Sequence, residues 1–132
     1  MIVRLYDRQD ISNPLNGMKF EDVDFLINEL RSLRTRSPFF CDLEDQNGHK
    51  LLIGLGTPFS CVQHSRIDGE SPYLMALGEE PPGVRNDLEF LINDTATPVP
   101  SRFALSQDTL EQIIHHFAKT GEPDGRVGWE AI

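Results

Sequence analysis

The side chains of this 132-residue chain that could do chemistry are four histidines, two cysteines and several groups of carboxylates. Cys61 and His64 invite a reading as nucleophile and base, because a thiol becomes reactive when a neighbouring imidazole takes its proton. They lie in a strand-like segment, Phe59 to Ile67, at positions of opposite parity, so their side chains point to opposite faces. A buried Cys61 and an ordinary His64 is the preferred reading. His115 and His116 are adjacent in a helical pattern, where neighbours diverge by roughly 100°. Metal ligands on a helix favour i, i+4 spacing, so this pair reads as solvated, with His115 the more exposed. Gly54-Leu55-Gly56 follows a strand-like run, but the third glycine of a dinucleotide fingerprint would fall at Phe59, Pro58 intrudes, and no helical pattern follows. These glycines read as a strand end. Asp42, Glu44 and Asp45 lack the spacing and glycine of a calcium-binding loop and read as an exposed strand edge near a turn. No catalytic set, metal site or cofactor site emerges.

The segment from Asp68 to Glu89 differs in kind. It holds Asp68, Glu70, Glu79, Glu80, Asp87 and Glu89 against Arg85 alone, with Tyr73 among them. Acids interleaved with an aromatic suit docking on a basic groove, since complementary charge speeds association and rejects wrong partners. A solvated loop has the same composition, and both readings stay open. Asp42, Glu44 and Asp45 form a second candidate contact. Across the chain, 21 acidic residues against 12 basic ones give a net charge of -9. That balance disfavours direct binding to a nucleic-acid backbone, which needs clustered Lys and Arg, and makes a basic protein the natural complement. The excess is uneven: Met1 to Arg36 is balanced, and all of the net negative charge lies downstream. Acidity also serves solubility.

The elements that must carry these groups can be read from periodicity and turn chemistry. Ile2 to Tyr6 reads as a strand, and Asn13-Pro14 and Asn16-Gly17 break the chain after it. Phe20 to Arg34 reads as a helix with Val23, Leu26, Ile27, Leu30 and Leu33 as its apolar stripe; its charges run acidic to basic, though no N-cap residue stands out. Phe39 to Asp45 and Lys50 to Leu55 flank Gln46-Asn47-Gly48-His49, a strong hairpin signal. Phe59 to Ile67, Tyr73 to Leu77 and Leu88 to Ile92 read as further strands, with a loop over residues 78–83. Thr97-Pro98-Val99-Pro100 lacks two amide donors and reads as an extended connector or edge segment. Ser106 caps a helix whose stripe is Leu110, Ile113, Ile114, Phe117 and Ala118, ended by Gly121 and Pro123. Val127 and Trp129 then share one face of a short strand. A single α+β domain over residues 1–132 follows, a mainly antiparallel sheet of about five to seven strands with two main helices packed on it. No run approaches the roughly 18 apolar residues of a membrane span, and the N-terminus lacks the apolar core of a signal peptide, so a cytoplasmic chain with reduced, buried Cys41 and Cys61 is expected.

One stretch adds more. A Ser-led helix ending at Phe117, then Thr120-Gly121-Glu122-Pro123, then Trp129, preceded by Thr97-Pro98-Val99-Pro100, resembles the C-terminal signature of the Imm1 family of bacterial immunity proteins. The likeness covers most of the length, is sharpest from Thr97 to Trp129 and fades between Ser65 and Ile92. It implies a protein encoded beside a polymorphic toxin, often a nucleic-acid deaminase or nuclease, that binds the toxin and occludes its active site. It implies that Phe117, Gly121, Pro123 and Trp129 are scaffold, that the partner is a basic toxin domain, and that no membrane, nucleic acid or cofactor is engaged directly. A small cytoplasmic enzyme, or an acidic adaptor or inhibitor of another basic protein, is the alternative.

Overall fold

The computed structural model describes residues 2–36, 38–78 and 87–132. Its elements in chain order are β1 (Val3–Asp7), β2 (Lys19–Phe20), α1 (Val23–Leu33), β3 (Phe39–Asp45), β4 (His49–Leu55), β5 (Cys61–Arg66), β6 (Leu74–Ala76), β7 (Leu88–Ile92), β8 (Thr95–Val99), α2 (Gln107–Thr120) and β9 (Trp129–Ala131), with 3-10 turns at Arg34–Arg36 and Ser101–Phe103. The strands form an open, mainly antiparallel sheet in the order β2-β1-β3-β4-β5-β6-β9. β7 meets the first residue of β3 in a parallel pairing, Phe39 with Leu91, and β8 pairs with β7. The α+β architecture is the one expected, with nine strands among the described residues. The two-residue β2 is too short to show alternation, and β8 reads from sequence as an extended connector or edge segment, the second of which it is among the described residues.

Alternation along the strands sorts the sheet into two faces. Val3, Leu5, Cys41, Leu43, Leu51, Ile53, Val62 and Ala76 lie on one face, in a single core with the stripes of α1 and α2. Burying a large apolar side chain contributes about 1.5–3 kcal/mol, so the stripes are what hold both helices to the sheet. Arg31 of α1 bridges to Glu111 of α2, Nε to Oε2 at 2.7 Å, which ties the helices to each other. On the other face Phe40, Cys61, Met75, Phe90, Val99 and Phe103 form a smaller core beneath the β7–β8 hairpin. Gly54 permits that second layer: a Cβ there would lie 2.7 Å from Cys61 Sγ and 2.9 Å from the Phe90 ring. Gly54 thus sits inside β4 for a packing reason, while Gly56 follows the strand end.

Two sequence expectations are corrected. The first helix begins at Val23, not Phe20, because Phe20 pairs with Val3 in β2 and is fully buried there. Asp22 is the N-cap that the sequence did not single out: its carboxylate accepts from the amides of Asp24 at 2.9 Å and Phe25 at 3.4 Å. Asp42 does not lie on an exposed strand edge. β3 runs between β1 and β4, and Asp42, paired with Tyr6 on one side and Leu52 on the other, is 0% exposed. The Arg8 guanidinium pairs with its Oδ2, while Oδ1 is buried with no hydrogen-bond partner among the described residues. Burial pushes the Asp42 carboxyl up despite the pull of Arg8.

Candidate partner-binding surface

The register of the sheet separates the predicted contact acids into two groups. Ile67 N–H donates to Gly48 O at 2.8 Å, which sets the β5–β6 loop with Asp68, Glu70 and Tyr73 beside the β3–β4 turn with Glu44 and Asp45. Asp87 and Glu89 precede Leu91, whose partner Phe39 begins β3, so they sit at the opposite end of that strand. Glu79 and Glu80 lie outside the described residues.

At the first end most of the acids already have local work. Asp45 accepts from the amides of Asn47 at 2.9 Å and His49 at 2.8 Å and meets His49 Nδ1 at 3.0 Å, so its carboxylate organises the turn. Glu44 stands across from Lys50. Asp68 accepts from the Glu70 amide at 2.9 Å and from Arg66 Nε at 3.2 Å, and those two partners, the amide first, hold its pKa down. The Tyr73 hydroxyl donates to Gly69 O and closes its own loop. Glu70 is exposed and open to solvent. At the second end Asp87 and Glu89 are exposed.

Beside the β3–β4 turn stands the family motif. α2 starts as expected, with Ser106 Oγ accepting from Thr109 N at 3.2 Å, and it ends at Gly121 in the left-handed region, φ 74°. Gly121 packs against Asp45 and His49, and its carbonyl accepts from His64 Nε2 at 2.8 Å. The His64 ring is enclosed by Phe117, edge-on at 6.0 Å between centroids, and by Trp129 at 6.5 Å. Burial is the main cause of its lowered pKa. The Trp129 indole donates to Asp124 O at 2.9 Å, and the buried Asp124 carboxylate receives Arg126 Nη2 at 2.9 Å and Gln112 Nε2 at 3.1 Å. Arg126, then Gln112, hold the Asp124 carboxyl well below the usual carboxylate range. Sequence reasoning missed Asp124; its place two residues before an Arg, past a helix stop, was the available sign of an Asx turn. Val127 and Trp129 both pack on the main core, as their spacing implies, though β9 starts only at Trp129.

Cys61 belongs to the second core and His64 to the helix face, as strand parity requires. Burial pushes the Cys61 thiol up to about 12 and Cys41 well above its ordinary value, which leaves both protonated and unreactive at neutral pH. Both are free and buried. Among the described residues no group of three His, Cys, Asp or Glu side chains is placed to hold a metal ion. His115 is partly exposed, with Nε2 3.9 Å from Asp24. No helix among the described residues is long and apolar enough to cross a membrane.

The face without helices is different again. A pocket of about 330 Å³ opens there, floored by Phe40, Leu52, Cys61 and Met75 and walled by Thr97, Pro98 and Val99 of β8, with Ile132 across from them. Ile132 is 62% exposed. Among the described residues no charged side chain lines it, and the hairpin that carries its wall, residues 87–100, includes Asp87, Glu89 and Asp94 and no Lys or Arg.

No curated protein matches the chain. The model of the family described as Immunity protein Imm1 matches residues 13–131, nearly the whole chain and every element from β2 to β9. Phe117, Gly121 and Trp129 meet around His64 inside the matched stretch, and by that match the chain belongs to the Imm1 family of immunity proteins.

Proposed function

We propose that this protein binds a cognate polymorphic toxin in the cytoplasm of the cell that makes both and neutralises it, without catalysis, by covering its active site with an acidic surface. The observation that carries the reading is the family match over residues 13–131. The net charge of -9 supports the choice of target. A deaminase or nuclease must carry basic surface to hold the phosphate backbone, and an acidic protein occupies that surface by imitating the substrate's charge. Buried, protonated thiols and a His64 engaged with a backbone carbonyl agree with a role in binding rather than turnover.

Co-expression tests this directly. With the toxin encoded beside it, the protein should restore growth, and the two should elute together from gel filtration as a one-to-one complex. Persisting toxicity together with separate elution would discard the reading.

A further inference from the structure

Three observations converge on the helix-free face. The groove there has a volume of about 330 Å³ and an apolar floor of Phe40, Leu52, Cys61 and Met75. That places it within the roughly 300–1,000 Å³ of pockets that seal a small ligand, enough for one large apolar side chain. Its wall, β8, pairs only with β7 among the described residues, so the outer row of backbone groups along Thr95–Val99 has no strand partner. Pro98 on that edge and Pro100 just beyond it have no amide to donate, so the groove beside the edge, and not the edge itself, is what a partner can fill. Finally, the hairpin that carries the wall holds Asp87, Glu89 and Asp94, all exposed, and no basic residue from 87 to 100; none of the three lines the groove, Glu89 standing opposite Pro98 and Asp94 accepting from Gln9 Nε2, so they act on a partner around the opening. A lipid or a neutral peptide would have no use for that charge; a basic protein segment would.

We propose that this groove is where the cognate toxin docks, through a segment that inserts one aromatic or long aliphatic side chain over Leu52 and Met75 while Lys or Arg residues around it are drawn by the acids of the β7–β8 hairpin. The proposal rests on the immunity reading above and names the surface that serves it. The inserted side chain supplies slow dissociation, because a sealed apolar anchor is where binding energy concentrates. The acids supply fast, salt-sensitive association.

The test uses the full chain and a catalytically inactive form of the adjacent toxin domain. Thr97→Trp and Gln63→Trp fill the groove from half-buried positions, and His116→Trp on α2 is the control. Both groove variants should weaken binding about 100-fold or more, mainly through dissociation, with an unchanged circular dichroism spectrum, while the control binds as the parent does. Hydrogen exchange on the unmodified complex decides the matter without any variant: amides of Thr95–Val99 and of β4 and β5 should gain protection. Tight binding by the parent with undiminished binding by the folded groove variants, or with protection confined to the helix face, overturns the groove and leaves the immunity reading standing. Failure of the parent to bind overturns the immunity reading, and the groove's occupant with it.

Discussion

Gly121 receives the His64 Nε2–H at its carbonyl while its α-carbon faces Asp45 and His49, so a single position joins the end of α2 to the β3–β4 hairpin. A Cβ there would meet the Asp45 carboxylate and lie 2.6 Å from His49 Nδ1, on a backbone with φ 74° that only glycine adopts without strain. Gly121→Ala should therefore cost about 1–3 kcal/mol in denaturant melts, and an unchanged midpoint would refute the packing argument. His64 makes the same junction sensitive to pH. Its pKa lies below the ordinary 6.5, chiefly from burial and also from nearby His49, with the Gly121 carbonyl, Glu122 and Asp45 opposing. The unfolded ring takes a proton first, so the stability contributed is complete above about pH 6.5 and is lost as pH falls through the lowered folded value. Melting temperature should drop between about pH 7.5 and about pH 5.5, and His64→Gln should flatten that slope. An equal slope in the variant would assign the effect to another group.

Helix ends and turns decide what could be read in advance. Ser106, the Leu110-to-Ala118 stripe and Gly121 all speak with one voice, so α2 is legible nearly to the residue. The β3–β4 hairpin is equally plain because Asn47-Gly48 lies between two apolar runs. α1 was harder: Phe20 extends the apolar stripe backwards, and only tertiary pairing with Val3 shows that it belongs to β2. Once Phe20 leaves the helix, Asp22 becomes the cap. Asp22→Ala should lower stability by about 1 kcal/mol, and a loss no larger than that of the exposed helix acid Asp24 would deny it the capping role. The turn joining β7 and β8, Asn93 and Asp94 with φ 52° and 64°, carries no glycine to mark it, so the sequence leaves β8 open between a connector and an edge segment. Asp42 resisted reading because its buried pairing with Arg8 depends on strand order, which periodicity alone does not reveal. The same holds for the grouping of Asp68 with Asp45 at one end of the sheet and of Asp87 with Glu89 at the other.

The whole molecule divides its work between two faces. The helix face is closed, with both amphipathic stripes spent on the sheet, whereas among the described residues the opposite face is covered by the β7–β8 hairpin and the Ser101–Phe103 turn. Charge reversal distinguishes the two acidic ends. Asp87→Lys with Glu89→Lys should slow association with the toxin about tenfold and flatten its dependence on ionic strength, while Asp68→Lys with Glu70→Lys should change it little. Equal slowing by both pairs would argue for a diffuse field in place of a localised contact. The open β8 edge has another consequence, for the protein on its own. Two copies could in principle zip together strand to strand, and an inhibitor lost to such dimers would be missing when needed. Pro98, in the middle of that edge, removes one amide donor, and the acids of the hairpin repel their counterparts in a second molecule. The edge is thereby closed to strand pairing, while the groove beside it stays open.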